Sequence, residues 1–236
     1  MMRSLRARLG RLKRLGVRLR SPVDLGRLDR LEPISGVFGL DRGTAIDRRY
    51  IQQFLAAEAE RIRGRALEVG DSTYTNLFGD AGVTERAVLH APPGAPGATL
   101  VADITKPKEL PENAFDCFIC TQTLNCVYDV RRALEGARRL LRPGGSLLLT
   151  VGGISPVSRF DRERWGFYWW FTPESVERLL TDVFGRAVSV RAYGNVLAAT
   201  AFLHGMAVED LPEPALLDAH DPNYPVVVSA VAEKAE

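Results

Sequence analysis

The pattern of hydrophobic positions is most legible between residues 115 and 151. Residues 115–120 form a short apolar run, FDCFIC, of the kind found in a parallel strand covered on both faces. Val130, Ala133, Leu134, Ala137, Leu140 and Leu141 then recur at helical spacing, with Arg131, Arg132, Arg138 and Arg139 on the other side. Pro143, Gly144 and Gly145 stop that helix, and residues 146–151 return to a continuous apolar run. Strand, helix and strand in this order predict a right-handed crossover unit, hence an α/β protein.

The same reading extends along the chain. Thr44 and Asp47 predict a capping box for a helix whose apolar positions include Ile51, Phe54, Leu55 and Ile62. Strands are expected at residues 65–70, 87–90, 100–104, 187–193 and 225–232. Thr172 and Pro173 open another helix as cap and first residue, with Val176, Leu179, Leu180, Val183 and Phe184 as its buried stripe. The last two strands are separated by residues 194–224, an insertion expected to hold a helix over residues 195–206 and to roof a binding site.

Residues 110–119 (LPENAFDCFI), Asp129, the helix after it and residues 140–151 (LLRPGGSLLLTV) resemble the second half of a class I methyltransferase domain. With residues 66–70 and 101–104 the resemblance covers most of residues 65–233, and it is closest to small bacterial enzymes of glycan or natural-product biosynthesis. It implies a Rossmann-like fold: a mostly parallel seven-stranded sheet with an antiparallel last strand and helices on both faces. It also implies S-adenosylmethionine as cofactor. Glu68, Gly70, Asp71 and Ser72 would form the turn against the cofactor, although Ser72 and Tyr74 stand where the usual loop has its second and third glycines. His90 takes the place of the carboxylate that normally receives the ribose, and one free ring nitrogen offers one such hydrogen bond. Asp103 and Ile104 correspond to the pair that receives the adenine, and Thr121 and Gln122 would complete the cofactor wall. In residues 38–51, Asp41, Arg42, Thr44, Arg48 and Tyr50 are dense in ligand-gripping groups, so Arg42 and Tyr50 are candidates for a lid over the cofactor, the alternative being ordinary surface packing.

Composition narrows the function further. The 236 residues, 46% hydrophobic, suffice for one α/β domain, expected over residues 44–236 behind an arm and lid loop of residues 1–43. Cys117, Cys120 and Cys126 read as structural thiols in a reducing cytoplasm, with no metal set around them. A formal charge of +2 conceals eight bases and no acid in residues 1–20, against 23 bases and 29 acids in the remainder. Leu5, Leu9, Leu12 and Leu15 repeat at helical spacing among those bases, so the arm suits an anionic lipid surface or an acidic protein, or else is a solvated tail. Outside the arm the net negative charge argues against nucleic acid, and no Gly-x-Gly-x-x-Gly follows the first strand to bind a nicotinamide cofactor.

Methyl transfer to a hydroxyl needs positioning, exclusion of water and a general base. His204 and His220, both in the insertion, are the candidate bases, and Tyr168 or Asp161 would orient the acceptor. Five of residues 165–170 are aromatic; Trp165, Tyr168, Trp169 and Trp170 are read as the acceptor pocket, the alternative being a plug that seals a helix onto the sheet. The expected function is O-methylation of a sugar, glycan intermediate or natural-product scaffold. A cofactor-assisted cyclase or isomerase, and a degenerate binding subunit without catalysis, are the alternatives.

Overall fold

The computed structural model describes residue 26 and residues 29–91, 95–185 and 189–235. The basic arm, the Pro92–Gly94 loop and the start of the sixth expected strand therefore lie outside the described residues. The chain divides after Pro33, and residues 34–236 are one unit; residues 34–43, grouped with the arm on sequence, belong to it.

Seven strands make one sheet in the order β3-β2-β1-β4-β5-β7-β6, with β1 (Gly64–Val69), β2 (Val83–His90), β3 (Leu100–Val101), β4 (Phe115–Thr121), β5 (Leu141–Gly152), β6 (Ser189–Tyr193) and β7 (Val227–Glu233). All neighbours pair parallel except β7, which runs antiparallel to both β5 and β6. This is the Rossmann-like methyltransferase sheet expected from the sequence. Side chains alternate across it with period two. Phe118, Cys120, Leu147 and Leu149 face one core, where they meet Ala133, Leu134 and Ala137 of α3 (Val130–Leu140) and Val176, Leu180 and Phe184 of α5 (Pro173–Phe184). Cys117, Ile119 and Leu148 face the other core, against α1 (Ile46–Ala57), α2 (Thr73–Phe78) and α6 (Val196–Leu203). A short helix α4 (Arg159–Arg164) follows β5. Burial pushes the thiols of Cys117 and Cys120 up to about 12, as befits core residues. No helix among the described residues is long and apolar enough to cross a membrane.

Local chemistry explains most boundaries. Asp129 caps α3 by accepting from the Arg132 amide, and Thr172 caps α5 in a reciprocal box with Ser175. The predicted box at Thr44 and Asp47 does not form. Glu209 captures both the Thr44 amide and its hydroxyl at 2.7 Å, so Ala45 stands at the N-cap without a side-chain bond. Helix α1 ends at Ala57 and Ile62 is buried beyond it. Strand β3 stops at Val101, short of the expected residue 104, because Asp103 Oδ1 accepts from the Thr105 amide and hydroxyl and turns the chain.

Gly136 shows how helix packing fixes the end of the third strand. A Cβ at Gly136 would collide with the Ile104 carbonyl oxygen, so α3 rests directly on the Asp103–Ile104 turn. Gly136→Ala is expected to cost about 1–3 kcal/mol through overpacking, outweighing alanine's helical preference. Urea denaturation of the variant checks it.

Candidate active site

Strand order reverses between β1 and β4, since β2 and β3 lie on one side and β5 on the other. Ligands of open α/β sheets bind beyond the carboxyl ends at such a reversal. The ends of β1, β2 and β4 and the residues just after β1, β3 and β4 carry most of the residues that the sequence suggested for the cofactor.

Gly70 has φ +89 and nothing within 4 Å of where a Cβ would stand, so the turn after β1 borders open space. Glu68 is buried and looks inward: its carboxylate accepts from the Tyr74 amide at 3.0 Å and from the Thr75 amide and hydroxyl at 2.8 Å. Burial raises its pKa, against the pull of those bonds. Glu68 thus shapes the turn by holding the start of α2, and Asp71 adds a bond from the Thr73 amide at 2.8 Å. Ser72 stands at the N-cap of α2, its hydroxyl accepting from Asn76. Tyr74, where a glycine is usual, does not fill the space at Gly70. Its ring stacks on Phe78 and its hydroxyl accepts from Arg48 at 3.3 Å.

His90 ends β2 with Nδ1 buried and unbonded among the described residues. Asp103 is exposed; the Thr105 hydroxyl bond holds its carboxyl below the usual range against partial burial, leaving it an anion able to accept from a ligand. Ile104 is buried in the core beside α3. Thr121 ends β4, and Gln122 follows with φ +49, its amide bound to the Thr150 carbonyl and its Nε2 buried without a partner.

Gln122 leads into a cleft with a cavity volume of about 70 Å³, with Asp47, Arg48 and Asp161 as its charged groups and Phe38, Leu40, Phe167 and Phe202 among its apolar walls. Asp47 Oδ1 is buried with no hydrogen-bond partner among the described residues, and burial raises the pKa of this carboxylate although Arg48 opposes it. Burial lowers the pKa of Arg48, but Asp47, Tyr74 and Asp161 more than offset it, so the guanidinium stays charged. The cleft holds one cation between two carboxylates.

Several expected site residues are engaged elsewhere. Arg42 makes a forked ion pair with Asp210 at 2.6 and 2.7 Å, which takes the Asp210 carboxyl down to about 2. Tyr50 is buried in the core with its hydroxyl on the Leu217 carbonyl, so it presents no surface to a ligand. His220 packs edge-on against Tyr193 and Tyr50, and His204 ends α6, where its carbonyl accepts from Ile34. Neither histidine lines the cleft, because the insertion packs against α1 and contributes Phe202 there. Trp165, Tyr168, Trp169 and Trp170 are exposed and lie outside the lining; Phe167 is the aromatic of that stretch that reaches it.

Sequence reasoning missed Asp47 as a site residue, reading it as a cap, and missed Asn125 altogether. Buried Asn125 accepts from the Gly152 amide at 3.0 Å and donates to the Gly152 and Trp169 carbonyls, while its own carbonyl takes the Tyr168 amide. It clamps the end of β5 to the aromatic stretch. A lone asparagine in TQTLNC carries no periodic signal that would have revealed it.

Residues 65–149 match the methyltransferase-domain family. The fold is that of a class I methyltransferase. An S-adenosylmethionine-dependent methyltransferase from Mesorhizobium loti has a similar structure, with a TM-score of 0.55 and 17% identity over 83% of this chain and 100% of that one. The [4+2]-cyclase SpnF gives 0.53 and 17% over 87% of both chains. The carbon methyltransferase of CurJ gives 0.51 and 16% over 84% of this chain and 57% of that one. No curated protein sequence matches the chain.

The domain match implies S-adenosylmethionine as cofactor. The residues present fit it: open space at Gly70, an ionised Asp103, and the unspent nitrogens of His90 and Gln122. Asn125→Ala is expected to cost about 3 kcal/mol by leaving buried carbonyl and amide partners unpaired, and to loosen the cleft wall. Chemical denaturation, with tryptophan emission as the local probe, measures both.

Proposed function

We propose that the chain is an S-adenosylmethionine-dependent methyltransferase acting on a hydroxyl of a small sugar-like or natural-product acceptor, with Asp47 as the general base. The buried Asp47 Oδ1, without a hydrogen-bond partner among the described residues in the cleft beside Gln122, is the observation that carries this reading. When bound, the cofactor supplies an electrophilic methyl group. Asp47 takes the proton from the acceptor hydroxyl, and its raised pKa makes it a stronger base than an exposed carboxylate. Arg48, anchored on Tyr74 and facing Asp161, keeps Asp47 ionised and orients the acceptor's other oxygens. Phe38, Leu40, Phe167 and Phe202 exclude water and hold the acceptor's apolar face. On this reading the base is a carboxylate, and His204, His220 and Tyr168 have no part in proton transfer. The unpaired cysteines suit a cytoplasmic setting.

Screening hydroxylated acceptors for equimolar methylated product and S-adenosylhomocysteine tests the proposal. Asp47→Asn is expected to lower kcat about a hundredfold or more, without losing the cofactor's effect on the melting temperature. Asp47 works only when ionised. The wild-type kcat therefore falls on acidification through a pH above the ordinary carboxylate range, and the variant lacks that limb. Unchanged activity in Asp47→Asn overturns the assignment of the base. Product formed without S-adenosylhomocysteine selects a cofactor-assisted cyclase, a chemistry this fold carries in SpnF.

A further inference from the structure

The aromatics that the cleft leaves unused form a surface of their own. Seven aromatic side chains are exposed among the described residues, and six of them are Tyr128, Phe160, Trp165, Tyr168, Trp169 and Trp170. Tyr128 is 71% exposed, Phe160 57% and Trp170 53%, far more than packing against the sheet would leave. Their rings meet: Tyr128 lies 5.4 Å from Tyr168 and 5.9 Å from Trp169, and Phe160 lies 6.0 Å from Trp165. The indole nitrogens of Trp169 and Trp170 donate to the Val127 and Ser155 carbonyls, which fixes two of these rings on the surface.

Three arginines interleave with them. Arg159, Arg162 and Arg164 of α4 are exposed and make no ion pair among the described residues; with Asp161 and Glu163 on the same helix they leave it one positive charge in excess. Arg164 instead covers the Phe160 ring at 3.5 Å. Half-exposed indole and phenol rings alternating with exposed arginines free of ion pairs match the headgroup region of an anionic bilayer, where rings sit among the acyl carbonyls and guanidinium groups meet phosphates. A protein partner would supply acids to these arginines as well, but would not require that the rings be spread over a rim.

We infer that this aromatic and arginine surface docks the protein on anionic lipid. The cleft, which shares Ser155, Asp161 and Phe167 with this stretch, then opens beside the bilayer. The basic arm, rich in leucine and arginine, adds attraction for the same surface.

The three tryptophans of the chain are Trp165, Trp169 and Trp170, so intrinsic tryptophan emission reports on this surface and is silent about the arm. The full-length protein is titrated with vesicles of phosphatidylcholine, alone or mixed with phosphatidylglycerol, carrying brominated acyl chains as quenchers. Expected is quenching on the anionic vesicles only, diminishing with salt. The double variant Phe160→Ser and Trp165→Ser weakens partitioning about tenfold, and so does the triple variant Arg159→Glu, Arg162→Glu and Arg164→Glu; unchanged melting curves verify that both fold. Three results overturn the inference: no binding to anionic vesicles, co-sedimentation without quenching, which leaves binding to the arm, or self-association that the same substitutions abolish, which makes the surface a protein interface.

Discussion

A reversal in strand order governs where everything else in this protein sits. Crossovers between parallel strands are right-handed, so a connection leading from β1 to β2 places its helix α2 on one face of the sheet, and the one from β4 to β5 places α3 on the other. The carboxyl ends of β1 and β4, side by side at the centre, are left uncovered by either helix. Polar groups collect there because β1 and β4, adjacent in the sheet, both end at that edge. Glu68 illustrates the cost, since a carboxylate buried at this point is tolerated only because three donors from the start of α2 meet it.

The chemistry of the cleft follows from what lies over that uncovered edge. Helix α1 brings Asp47 and Arg48 as adjacent residues, α4 brings Asp161, and the Tyr74 hydroxyl braces the guanidinium. The tyrosine that replaces a glycine in the turn after β1 is thereby turned from an obstruction into a support for the cleft's cation. With Asp47 and Asp161 both ionised, one arginine beside two carboxylates makes the cleft net negative, which disfavours a ligand bearing phosphate or carboxylate there.

The sheet was legible in the sequence because its strands and helices announce themselves by period, as in the 115–151 unit and the caps at Asp129 and Thr172, while the antiparallel last strand came from the resemblance to methyltransferase domains. The turns at the strand-order reversal were legible because each sits just past a strand whose apolar run marks its end. What was not legible depends on contacts across the fold. Glu209 lies 165 residues from Thr44 and displaces its cap; Tyr50 follows helical periodicity into the core and away from any lid; and the histidines of the insertion go wherever α6 packs. Asp47 and Asn125 acquire their roles only through partners or through the lack of them, and no spacing in one chain records that.

Calorimetric titration with S-adenosylmethionine and S-adenosylhomocysteine, on the wild type and on Asp103→Ala, tests the central claim most directly. Saturable binding with a dissociation constant on the order of micromolar, lost or strongly weakened in the variant, is what the turns at the β1–β4 reversal require. Absence of heat with both ligands, or affinity untouched by Asp103→Ala, would contradict the assignment of this crevice as the cofactor site.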